Sequence, residues 1–180
     1  MQVQSEATPV AGAEALHGRR IIDAIKASGV EFIPCLPDIH TSDGLLWPLT
    51  KEPSLRLVRV CKEDEGVGIC AGLAYCERRA LLLMQYSGML DSVNAIRIVG
   101  AEYKLPICMM VGLLNKEPGV PPEKSRVYSI RITVPILDAM GVEHHLIETD
   151  DDVRKIKPAI DRAYAERHPV VLLIGRSPVP

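Results

Sequence analysis

The sequence predicts a three-layer α/β fold built on one doubly wound parallel sheet of about six strands. Three observations carry this. Short aliphatic runs alternate with helical patterns from residue 14 to residue 180. The runs, among them ALLLMQ (80–85), PICMMVGLL (106–114) and PVVLLIG (169–175), are continuously apolar, as strands covered on both faces are. Hydrophobic residues form 47% of the 180 but aromatics only 4%, so the core is aliphatic and sized for one domain.

The elements follow in order. Residues 1–13 read as a flexible leader and 14–180 as a single domain. Leu16, Ile21, Ile22 and Ile25 fall at helical spacing, and Gly29 stops that helix. EFIPC (31–35) is the first strand, and LPDIHTSDGLLWPL (36–49) a loop running into a helix shortened by Pro48. LRLVRVC (55–61) is the second strand and EDEGVGICAGLAYCERR (63–79) a helix of small residues. After the third strand, Ser87 and Gly88 open a helix over 87–104; the fourth strand precedes a long Pro-, Gly- and charge-rich loop, 115–129. A helix over 130–142 carries Pro135 near its first turn, EHHLIET (143–149) is a strand, and Asp150 to Asp152 open a last helix at its positive end. Ligands of such folds bind beyond the carboxyl ends of strands, which directs attention to 35–42, 61–66, 85–92 and 113–128.

Composition excludes some functions. The net charge is −2 and no basic tract offers itself to nucleic acid or an anionic membrane. No apolar run is long enough to span a bilayer, and no basic segment followed by an apolar one marks a signal peptide, so a cytoplasmic protein is expected. The five cysteines are odd in number and form no C-x-x-C pair, so neither a metal site nor a disulfide framework is expected, and the thiols are read as buried.

The most informative stretch is LRLVRVCKEDEGVGICAGLAY (55–75). Gly66, Gly68 and Gly72 approach a dinucleotide fingerprint, but the spacing is one residue too long. Glu63, Asp64 and Glu65 stand where a pyrophosphate would sit, and like charges there repel it. The next strand ends in Gln85 instead of an acid for a ribose. The glycines suit close packing against a sheet or a partner. Acids at a helix start favour its dipole, which accounts for two of the three.

The third acid resembles the activating glutamate of thiamine diphosphate enzymes: Glu63 is followed nine residues later by Gly72, then Ala74. LLLMQYSGMLDSVNAI (81–96), YKLPICMMVG (103–112) and ITVPILDAMGV (132–142) resemble, in the same order, segments of sulfopyruvate and phosphonopyruvate decarboxylases, which read close to MQNSGLGNSINAL in the first of these. The similarity spans roughly 14 to 175. It implies a pyrimidine-binding domain that supplies the glutamate, while a pyrophosphate-binding partner supplies a Gly-Asp-Gly motif and the Mg2+ ligands; this sequence contains no Gly-Asp-Gly.

By the family spacing Glu63, with Glu65 as its local rival, holds the cofactor's ring nitrogen. Gln85, Tyr86, Ser87, Gly88 and Asn94 are implied cofactor contacts. His40 is an acid–base or anion-binding candidate. Where relatives read RGEPG this chain reads NKEPG (115–119), so Lys116 or Arg126 is the candidate for the substrate anion, with the loop itself as a lid. The implied assembly is an alpha subunit, homodimeric within a hetero-oligomer with a beta subunit, that decarboxylates a small 2-oxo acid, sulfopyruvate first. Phosphonopyruvate decarboxylation, a carboligase, or a non-catalytic regulatory module of the same fold are the alternatives.

Overall fold

A computed structural model describes residues 15–180, so the expected leader lies outside the described residues. Six strands form one sheet: β1 (Phe32–Cys35), β2 (Arg56–Arg59), β3 (Leu82–Gln85), β4 (Cys108–Gly112), β5 (Glu143–Ile147) and β6 (Val170–Ile174). Their order is β2-β1-β3-β4-β6-β5, and every pairing is parallel. Gln85, Gly112, Ile174 and Ile147 stand side by side in one row at the carboxyl edge.

Two aliphatic cores lie on opposite sides of the sheet. On one side α1 (Gly18–Ala27), α2 (Trp47–Leu49) and α7 (Ile156–Glu166) cover Ile33, Leu83, Met110, Leu172 and Ile174. On the other, α3 (Glu63–Tyr75), α4 (Tyr86–Asp91) and α6 (Tyr128–Ala139) cover Leu82, Met84, Met109, Val111 and Leu173. Successive strand residues point to opposite faces, so both residue sets of each central strand are buried. This explains why those strands read as unbroken apolar runs. A fully buried Leu or Ile contributes about 1.5–3 kcal/mol relative to exposure, and α1 spends all three of its isoleucines this way.

The chain leaves β1 for β2 by way of α2 on one face, then crosses to β3 by way of α3 on the other. The winding therefore reverses between β1 and β3, and a crevice opens at their carboxyl ends.

Three helices differ from expectation. The segment 87–104 is not one helix. It starts at Tyr86, breaks at Ser92, resumes as α5 (Val93–Ala95) and widens into a π-helical stretch, Ile96–Glu102. The hydroxyl of Ser92 is buried without a hydrogen-bond partner among the described residues. Helix α6 begins at Tyr128, two residues before Ile130, so Pro135 sits well inside it. The missing N–H leaves the Arg131 carbonyl without its i+4 donor. The last helix opens with a 3-10 turn, Asp152–Lys155, and ends at Arg167 in the left-handed region, φ 55°. Thiols also divide: Cys35, Cys70 and Cys108 are buried, but Cys61 and Cys76 are exposed, against the expectation for all five.

Candidate functional site

A cavity of about 270 Å³ occupies the crevice between β1 and β3, lined by Leu36, Pro37, Asp38, Ile39, Glu63, Gln85 and Ser87. Each of its walls has a local cause. The loop after β1 is tied into a tight turn by Asp38, whose carboxylate accepts the backbone N–H of His40 (2.6 Å) and of Thr41 (2.8 Å) and the Thr41 hydroxyl (2.5 Å). That turn presents Ile39, 84% exposed, at the rim. The end of β3 supplies Gln85 and the start of α4 supplies Ser87, joined by a 3.0 Å hydrogen bond from the Ser87 hydroxyl to Gln85 Oε1.

The three acids at the start of α3 have separate tasks. Glu65 Oε2 accepts the backbone N–H of Cys61 (2.9 Å) and, more weakly, of Lys62 (3.3 Å), which caps the helix. Asp64 accepts the Glu65 N–H at 3.0 Å and lies 3.6 Å from the Lys62 ammonium. Glu63 alone of the three makes no hydrogen bond or ion pair among the described residues, and it alone lines the cavity. The choice between Glu63 and Glu65 that helical spacing left open is thus separated by geometry: Glu65 is engaged with backbone and Glu63 is available.

Gly88 lies directly against Glu63. A Cβ built there would stand 2.2 Å from Cγ, Cδ and Oε1 of the glutamate. Only a glycine at the first turn of α4 lets the Glu63 side chain pass. Tyr86 is half-buried beside it and packs into the core under α3 and α6. Glu63, Gln85, Tyr86, Ser87 and Gly88 are therefore neighbours, brought together by β3, α4 and α3.

The other candidates sit elsewhere. Asn94 lies in α5, beyond the break at Ser92 that separates it from Ser87 and Gly88 in α4. It is exposed and accepts a 3.0 Å hydrogen bond from Arg97. His40 is no solvated loop histidine, and its ring does not line the cavity. Its Nε2 lies 2.9 Å from the Ile174 carbonyl, which can only accept, so Nε2 carries the proton. Nδ1 then accepts from the Ser177 hydroxyl at 3.0 Å. The ring is 6% exposed, and burial pushes its pKa down, opposed by the Ile174 hydrogen bond and by Asp38. With both nitrogens satisfied, His40 is a neutral staple between the loop after β1 and the segment after β6, not a free acid or base.

Lys116 is equally committed. Its ammonium is sealed from solvent and bonded to Glu148 at 2.5 Å and to the Glu117 carbonyl at 3.0 Å. Arg126 is the opposite case, its side chain 95% exposed. The loop carrying both is ordered by Glu117, which accepts the Ser125 hydroxyl (2.7 Å) and the Arg126 N–H (2.9 Å). Neither cation reaches the cavity. Sequence reasoning missed Asp38 as the organiser of the cavity wall, although Pro37-Asp38 is a recognisable turn signal.

Outside the site, α3 is packed through one glycine only. A Cβ on Gly66 would meet Leu82 Cδ1 at 2.5 Å, whereas Gly68 and Gly72 face open space. No helix of the described residues is long and apolar enough to cross a membrane.

No protein-family model matches the chain. Among curated proteins it is 29% identical over 157 residues to sulfopyruvate decarboxylase subunit alpha of Methanococcus maripaludis, covering 86% of this chain and 91% of that one. It is 27% identical over 157 residues to the protein of the same name from Methanocaldococcus jannaschii, covering 85% and 89%. A longer protein from Methanosarcina acetivorans, named sulfopyruvate decarboxylase, is 26% identical over 165 residues, which cover 87% of this chain but 39% of the relative. Over most of its length, the chain is similar to the alpha subunit of sulfopyruvate decarboxylase, as its motifs implied.

Proposed function

We propose that this chain is the alpha subunit of a thiamine diphosphate-dependent decarboxylase acting on sulfopyruvate, completed by a beta subunit that binds the cofactor's pyrophosphate and Mg2+. The observation that carries this reading is Glu63: an acid without a partner among the described residues, in the crevice between β1 and β3, seated against a glycine that admits nothing larger. Relatives covered almost end to end and named for this activity support it.

The residues fit one end of the cofactor, the aminopyrimidine. The Gly88 cradle leaves the Glu63 carboxylate facing the cavity, and Leu36, Pro37 and Ile39 give that cavity apolar walls. When bound, thiamine diphosphate supplies the electron sink that a 2-oxo acid needs to release carbon dioxide. This chain's part is to hold and position. Glu63 would hydrogen-bond the pyrimidine ring nitrogen and share a proton with it. Gln85 and Ser87, fixed to each other, would orient the exocyclic amino group. Ile39, exposed at the rim, would be covered by the beta subunit and help exclude water.

Calorimetric titration of thiamine diphosphate with Mg2+ tests this, first with the chain alone and then with its beta subunit, each repeated with Glu63→Gln. The expected result is binding with the partner only, together with carbon dioxide release from sulfopyruvate that is lost in the variant. Absence of binding with the partner present would refute the reading.

A further inference from the structure

With Lys116 consumed by Glu148 and Arg126 in solvent, the anionic tail of such a substrate needs another cation. Arg176 follows β6, two residues beyond the row in which Gln85, Gly112 and Ile174 stand side by side. Two strand spacings, about 10 Å, separate Gln85 from Ile174, and Arg176 stands up to about 7 Å further along the chain; it leaves the same carboxyl edge of the sheet as the cavity, which its side chain does not itself line. Its Nε is sealed from solvent, and among the described residues Nε has no hydrogen-bond partner and the guanidinium makes no ion pair. A buried donor left unmade is unfavourable, and native structures keep few of them.

The backbone on both sides of Arg176 is fixed. Gly175 donates to the Ile147 carbonyl at 3.0 Å, and a Cβ there would meet Glu148 Cγ at 2.7 Å. Ser177 is bonded to His40. The Pro178 carbonyl presses on Gly44, where a Cβ would lie 1.8 Å away. Val179 exchanges 2.8 Å backbone hydrogen bonds with Leu16 and Gly18. An arginine without a partner among the described residues, on a backbone held on both sides, is available to a ligand, and its planar fork matches the oxygens of a sulfonate better than a lysine does.

We infer that Arg176 binds the sulfonate of the substrate, an inference that rests on the proposed decarboxylase reading. It gives His40 a purpose as well: a positioning residue that holds Ser177, and with it the arginine, in place.

The test uses the complex with the beta subunit, wild type against Arg176→Gln and Arg176→Lys. Sulfoacetate is the unreactive probe and acetate the control without a sulfonate. The expected result is a loss of sulfoacetate affinity of about 10- to 100-fold in Arg176→Gln, as for a lost charge-assisted hydrogen bond. Lys should be intermediate, while acetate and thiamine diphosphate affinities stay unchanged. KM for sulfopyruvate should rise by a similar factor with kcat retained. Unchanged sulfoacetate affinity and KM in a complex that turns over sulfopyruvate would overturn the role of Arg176 and leave the decarboxylase standing. Absence of turnover in the wild type would count against the decarboxylase; sulfoacetate titration then still decides for or against Arg176.

Discussion

Replacing Gly88 with alanine probes the site with one methyl group. The added carbon would sit 2.2 Å from three atoms of Glu63, far inside van der Waals contact, so one of them must move. Glu63 is the element that can yield, because it is half-buried and makes no hydrogen bond or ion pair among the described residues. Turning it out of place costs about 0.5–1.5 kcal/mol of side-chain strain. Alanine in a helical position returns up to about 1 kcal/mol relative to glycine. These terms nearly cancel, so thermal unfolding of Gly88→Ala should shift by no more than about 1 kcal/mol equivalent. The effect on the site is different. A displaced Glu63 forfeits a hydrogen bond in which one partner is charged, worth about 1.5–3 kcal/mol, so thiamine diphosphate affinity in the complex with the beta subunit should fall about 10- to 100-fold. Calorimetry reads the affinity and a thermal melt reads the fold. A variant that melts like the wild type and still binds the cofactor as tightly would refute the claim that Gly88 sets the position of Glu63.

Acid should weaken the protein in two steps. Burial lowers the His40 pKa, so below about pH 6.5 the unfolded chain takes up a proton that the folded chain resists, and stability falls from there. Glu143 is penalised by desolvation, yet hydrogen bonds from Arg162, His145 and His168 bring its carboxyl down to about 2; its contribution is present above about pH 4.5 and is lost as the pH falls toward 2. Urea midpoints against pH should show both limbs, with the first flattened in His40→Gln; an unchanged slope there would contradict the buried neutral ring. The Lys116–Glu148 pair should behave as a buried ion pair: Lys116→Met leaves Glu148 alone and should cost about 3–5 kcal/mol, most of it recovered in Lys116→Met with Glu148→Leu. Equal losses in single and double variants would show that the pair is not coupled.

The sheet was legible because its signal is local. A strand buried on both faces must be apolar at every position, and 80–85, 106–114 and 169–175 could hardly be read otherwise. The acids at the start of α3 were legible in the same way, down to two of three serving the helix end. What failed depended on partners far along the chain. His40 meets residues 134 and 137 positions away, and nothing near it announces that its ring will be buried. Lys116 looked free because Glu148 is 32 residues on. The break at Ser92 and the proline inside α6 are places where packing overrides propensity. Arg176 escaped attention because a buried Nε without a partner among the described residues is defined by what its surroundings lack.

A parallel sheet that is apolar on both faces has a problem of alignment. A strand that slides by one residue exchanges its two faces, and in most sheets polarity forbids this. Here a slipped β3 would still offer leucine and methionine to either side, so greasiness alone cannot tell the right position from the wrong one. Shape has to. Gly66 on α3 has room for Leu82 and for nothing thicker, Gly112 at the end of β4 receives His40 and Thr41, and Gly175 beyond β6 receives Glu148 and Leu146. Each works as a notch cut for one tooth, and the teeth lie on different elements. The same notches that fix how the strands align also fix how far each one projects at the carboxyl edge, and therefore how the end of β3 that bears Gln85 and the start of α3 that bears Glu63 come to line one cavity.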